Sequence, residues 1–319
     1  MAIPEGFRAL LGRAVRELPQ ATWVEPGDLV RYGQELMASE EHGDARVLRS
    51  TGTIRLHGAG VEDHAIDLDQ VGAISMLWQR AVTSFGAALE EVRTSRGKLP
   101  DSITRRTRLR LTASPGEGSV VLRIAPRANP LSEVEPDGLR PLIGVPRPLA
   151  DRASDALLDV FRQVSEPGAE SAELVSQRLR VLGPRASSSL QALAAALSEA
   201  DIALDAAWRE PGASTSRASC SVGDSRWLRS FIEGRELDAT FDVFSGTVAT
   251  VSNRERWLVE TEEGLEKVVA SALENDDVRR VRSGDFVTLR VRTTMRTQPD
   301  GTVRTKREAL DIIEVLSPD

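Results

Sequence analysis

The sequence is short of several residue types, and each shortage excludes something. It holds one cysteine, Cys220, which rules out an internal disulfide framework and every multi-cysteine zinc or iron–sulfur site. Its three histidines are His42, His57 and His64, and no His-x-His or His-x3-His spacing places two imidazoles on one element. Aromatic residues make up 4% of the chain, so surfaces on which nucleobases could stack are few. Among 41 basic residues only Lys98, Lys267 and Lys306 are lysine, a bias that the codon usage of a GC-rich bacterial genome explains without invoking function. No run approaches the roughly 18 apolar residues of a membrane span. The first residues, Met1 to Arg8, meet a charge before any apolar stretch forms, which argues against a secretory signal. The expectation is a cytoplasmic chain that does not enter a membrane.

What remains is an ordinary globular composition, 40% hydrophobic and 28% charged. At 319 residues the chain is long enough for two domains or three small ones. There is no repeat of fixed period and no low-complexity tract.

Phe7, Leu10, Leu11, Val15 and Leu18 fall on one face at helical spacing, and Asp28 to Met37 reads as a second helix capped by Asp28. Arg46 to His57 alternates like a strand. From Asp69 to Val92 the apolar residues Val71, Ile74, Trp78, Val82, Phe85, Leu89 and Val92 define the strongest helix. A hairpin is expected next, with Arg106, Arg108 and Arg110 on one face of its first strand and Val120 to Ile124 forming the second. After a proline-rich connector, helices are predicted at Leu149–Ser165, Ala169–Leu182 and Ser187–Ala200. Two short strands around Ile202–Trp208 and Ala218–Val222 follow, then an amphipathic segment at Ser225–Glu233.

From Leu237 the texture changes to five strand-like runs, with a helix or loop between the third and fourth. The runs are Ala239–Val251, Arg256–Thr261, Leu265–Ser271, Asp285–Arg296 and Val303–Leu316, and Gly246 marks a bend in the first. This order resembles an oligonucleotide/oligosaccharide-binding (OB) barrel, although a small SH3-like barrel shares most of the signals. The expected class is therefore α+β. Residues 1–145 form an N-terminal domain of helix on antiparallel sheet. A helical middle region, 146–236, either stands alone or completes that domain, and 237–319 form the OB-like or SH3-like β-barrel.

Charge is segregated. Arg279 to Arg307 holds nine cations against Asp285 and Asp300, and Arg93 to Arg127 holds nine against Asp101 and Glu117, within a chain of net charge −7. Guanidinium rows on a strand face suit a polyanion or an acidic protein partner. The candidate binding residues are Arg290, Arg292, Arg296, Arg304, Lys306 and Arg307, with Trp257, Phe241 and Phe244 as the nearby aromatics on which a base could stack, and Arg106, Arg108 and Arg110 on the other domain. The plain alternative is that these arginines are solvated or paired with carboxylates of the same chain.

Other chemistry is poorly represented. His57, Glu62, Asp63, His64, Asp67 and Asp69 crowd together, but Asp67 or Asp69 is better explained as a helix cap. Cys220 sits in an alternating run, as a small core residue does. Ser187, Ser188 and Ser189 open a helix and have no histidine partner. No nucleotide-binding glycine loop or nucleophile elbow is present. No metal or cofactor is expected, and enzymatic activity is disfavoured. The sequence favours a non-enzymatic intracellular adaptor, or a subunit of a multi-protein assembly, whose partner is a protein. A nucleic-acid-binding protein using the basic ribbon is the alternative, and an enzyme with an unrecognised metal or carboxylate site is the third reading.

Overall fold

The computed structural model describes residues 26–92, 98–113, 120–134, 146–166, 168–252, 256–262, 264–297 and 302–317. Phe7 to Leu18, the Ser114–Gly118 turn and the Gln298–Gly301 turn lie outside them. Among the described residues are nine α-helices and two sheets, a mixed α+β architecture.

The first described helix, α1 (Pro26–His42), contains Asp28 within it rather than at its cap and continues past Met37. A 3₁₀ turn, Ala45–Val47, leads to β1 (Thr51–His57), where Gly52, Ile54 and Leu56 point inward and Thr51, Thr53 and Arg55 outward. Helix α2 (Leu68–Leu89) buries Ile74, Leu77, Trp78, Val82 and Phe85. Asp67 occupies its N-cap position without a side-chain hydrogen bond.

The expected hairpin starts later than its pattern suggests. Residues Asp101–Thr107 form a short helix, α3, so Arg106 is helical and only Leu109–Ala113 is strand, β2. The Gln79 amide explains the switch: it donates to the Thr107 carbonyl at 3.1 Å and accepts the Leu109 N–H at 2.7 Å. Strand β3 (Val120–Pro126) pairs with both β2 and β1.

A single turn, α4 (Leu131–Val134), precedes three longer helices: α5 (Leu149–Ser165), α6 (Ala169–Leu182) and α7 (Pro184–Glu199). Strands β4 (Ala203–Arg209) and β5 (Ser216–Cys220) then return to the first sheet, giving the order β2-β3-β1-β4-β5. Helix α8 (Val222–Gly234) starts with a capping box between Ser221 and Asp224. The middle region thus shares a sheet with the N-terminal one, and both contribute to a single core. Ile54, Phe85, Phe161, Leu190, Trp208 and Leu228 meet there.

The second sheet contains β6 (Ala239–Thr250), β7 (Arg256–Thr261), β8 (Gly264–Val269), β9 (Phe286–Thr297) and β10 (Val303–Leu316), with helix α9 (Asn275–Arg280) between β8 and β9. Its pairings run β10-β8-β7-β6-β9 and return to β10, with β8–β10 the one parallel pair. Gly246 is required where β6 bends against β7. A Cβ there would lie 2.4 Å from the Glu260 carbonyl oxygen and 2.8 Å from Val259 Cγ1. A separate core of Val248, Trp257, Val259, Val268, Leu289 and Ala309 fills this unit.

Candidate partner-binding surface

Register fixes which residues share the outer face of the second sheet. On β9, Arg290, Arg292, Thr294 and Arg296 alternate with the inward Val291, Thr293 and Met295. Their β10 partners are Asp311, Glu308, Lys306 and Arg304, and on β6 Phe241 lies beside Arg292 and Val243 beside Arg290. The arginines sort into two groups.

The first group is spent inside the chain. Arg292 pairs with Glu236 and Glu308. The hydrogen bond from Arg292 holds the Glu308 carboxyl below the usual range against the opposing effect of burial. Arg296 donates to Gln191 at 3.0 Å and Glu233 at 3.1 Å, and stands 3.6 Å from the buried Asp238. Arg307 is buried, with Glu266 as its ion partner and the Phe244 ring 5.7 Å away. Arg106 bridges Glu90 at 3.0 Å and Glu133 at 2.8 Å. Burial works to raise the pKa of Glu90, but hydrogen bonds from Arg106 and Arg152 outweigh it and keep the carboxyl below its ordinary value. Trp257 is fully buried and donates its indole N–H to the Ser252 carbonyl at 3.0 Å, so it offers no face to a base.

The second group is uncommitted. Arg290, Arg304, Lys306, Arg108 and Arg110 are exposed and make no ion pair among the described residues. Lys306 acts on Glu308 through space only. Exposed aromatic and aliphatic side chains accompany Arg290: Phe241 is 59% and Val243 64% accessible. Of the two aromatic candidates on β6, Phe241 is exposed and Phe244 is buried, a choice alternation could not make because Phe241, Val243 and Phe244 put apolar residues on both faces of one strand.

A polar cleft of about 620 Å³ beside the first sheet escapes sequence reasoning altogether. Arg147 reaches Glu210 at 2.6 Å and Asp155 at 3.4 Å, and Ser216 donates to Asp155 at 2.6 Å. Behind them Trp208 lies across Gly52, where a Cβ would be 2.6 Å from the indole. It donates its N–H to Asp151 at 2.9 Å. Burial pushes the Asp151 carboxyl up to about 6, against the Ser50 and Trp208 hydrogen bonds. Arg147 thus ties α5 to the residue that follows β4, and the Ser50 and Trp208 hydrogen bonds to Asp151 tie the segment before β1 and β4 to α5. No group of histidine, cysteine and carboxylate residues suited to a metal occurs among the described residues. Burial raises the Cys220 thiol to about 11, so it is not a nucleophile near neutral pH. No helix among the described residues is long and apolar enough to cross a membrane.

No protein-family model, curated protein or solved structure matches the chain.

Proposed function

We propose that the chain is a non-enzymatic partner-binding protein, an adaptor or subunit of an assembly, that engages another protein through its C-terminal unit. The observation that carries this reading is the division of the arginines. Arg292, Arg296 and Arg307 are consumed by Glu308, Glu233 and Glu266, which removes half of the six-cation ribbon expected to track a phosphate backbone. The exposed Arg290 instead lies beside the exposed Val243, a mixture of charge and apolar surface that suits a protein partner. The strand order supports an OB-like rather than an SH3-like barrel. Its first strand pairs with the second and fourth, its third runs parallel to its fifth, and a helix separates the third from the fourth.

That barrel type also keeps nucleic acid as the second reading. The outer residues of β7 and β8, the strands OB barrels commonly use, include Arg256, Leu258, Glu260, Leu265, Lys267 and Val269, with no aromatic among them. Titration of labelled single- and double-stranded DNA and RNA at two salt concentrations separates the readings. The adaptor reading expects feeble binding that falls steeply with salt. Tight binding at near-physiological salt, abolished by replacing Arg290, Arg304 and Lys306 together, would displace it.

A further inference from the structure

The two domains enclose a groove of about 330 Å³ where the α6–α7 corner and the end of α8 face β6. Arg180, Pro184, Arg235, Glu236 and Phe241 are among its lining residues. Its charges are unequal in status. Glu236 is already held by Arg292, and Arg235 is shared between Glu173 at 3.1 Å and the Phe231 ring at 4.7 Å. Arg180 is exposed and has no ion partner among the described residues. Two residues along β6 from Phe241, Val243 continues the apolar surface and is flanked in register by Arg290, which likewise makes no ion pair among the described residues and has Asp311 of β10 opposite it on its other side.

An apolar strip between two uncommitted guanidinium groups selects for complementary chemistry. A bare polyanion would satisfy the arginines while leaving Phe241 and Val243 in water, and a purely apolar segment would desolvate the arginines without compensation. We infer that this interdomain groove binds a short acidic segment of another protein, with one or two apolar side chains seated on Phe241 and Val243 and carboxylates on Arg180 and Arg290. The inference rests on the partner-binding reading above and specifies its site and the chemistry of the partner.

The test is panning of displayed random peptides of about twelve residues, long enough to cross such a groove. The targets are the immobilised full chain, the same chain carrying R180E and R290E, and one carrying R304E and K306E. Both pairs lie on exposed positions, and circular dichroism with thermal melting verifies that each variant is folded. The expected selection against the unaltered chain combines acidic residues with an aromatic or branched aliphatic one. The selected peptide, synthesised and measured by fluorescence anisotropy, should bind R180E/R290E and F241A about tenfold or more weakly, and R304E/K306E nearly as well as the parent. Peptides that lose affinity with R304E/K306E but not with R180E/R290E would overturn the groove while leaving the partner-binding reading intact. Selection of basic or uncharged peptides would overturn the assigned chemistry. Absence of enrichment over the uncoated support would overturn both proposals. Self-association of the chain that R180E/R290E abolishes would make the occupant a second copy, which also overturns the inference.

Discussion

Trp208 donates its indole N–H to the carboxyl of Asp151 at 2.9 Å, deep beneath the polar cleft beside the first sheet. The bond links β4 to the first turn of α5, and its acceptor is an acid that burial pushes up to about 6 from its ordinary value of 3.8. A carboxyl whose pKa is raised by folding binds its proton more tightly in the native state. Its contribution to stability is complete below the unfolded value and is lost as pH rises through the folded one. The raised value corresponds to a loss of about 3 kcal/mol between roughly pH 4 and pH 7. Asp151→Asn keeps the oxygen that accepts the indole proton and removes the titration. Urea unfolding across this range should therefore show wild-type stability falling relative to the variant as pH rises. Parallel curves would mean that Asp151 does not titrate in this window.

Part of this architecture was legible in the sequence. Helix α5 begins and ends where its apolar spacing indicates, and the alternation of β1 correctly separates Ile54 and Leu56 from Thr53 and Arg55. Charge partners were not legible, because they come from distant places. Arg106 meets Glu90 and Glu133, 16 and 27 residues away, and Arg147 meets Glu210 across 63. Composition shows that a segment is basic, but only the fold decides which carboxylates face it. Trp257 illustrates the same limit: Leu258 beside it is also apolar, so alternation alone could not tell which of the two enters the core.

Because Trp257 is a fully buried member of the C-terminal core, replacing it measures packing rather than binding. We predict that Trp257→Ala costs about 3–5 kcal/mol through the cavity it leaves. Trp257→Phe should cost less, retaining most of the volume but losing the hydrogen bond to Ser252. Chemical denaturation read by circular dichroism checks both. A neutral Trp257→Ala would place the indole on the surface and restore it as a stacking residue.

Gly246 makes a sharper steric prediction. An added methyl would stand 2.4 Å from a backbone oxygen of β7, where no flexible side chain can yield. Gly246→Ala should therefore destabilise the C-terminal unit by about 1–3 kcal/mol, or prevent β6 from pairing with β7. Amide hydrogen exchange should show the loss of protection confined to the second sheet. Unchanged protection across Thr247–Thr250 would show that the bend tolerates a side chain.

The last prediction concerns how the two cores communicate. Each unit has its own hydrophobic core, and Leu237 belongs to the first, so the division falls at Asp238. Several polar contacts concentrate there on the end of β9. The Thr297 N–H donates to Ser188 Oγ at 2.8 Å, the Met295 N–H to the Asp238 carbonyl at 2.8 Å, and Arg296 to Gln191 and Glu233. Arg296 is also the cation nearest the buried Asp238 carboxyl, whose pKa burial raises despite that charge. Arg296→Ala removes the bonds to α7 and α8 and leaves Asp238 without its counter-charge, while neither core loses a member. The loss should be about 1–3 kcal/mol and should fall on the coupling between units. Calorimetry should accordingly resolve the variant's unfolding into two transitions, the later one matching that of an isolated fragment spanning 238–319. If that fragment shows no cooperative transition, the C-terminal core depends on the first core. If Arg296→Ala instead lowers a single transition without splitting it, the coupling lies elsewhere in the α7–β9 contact.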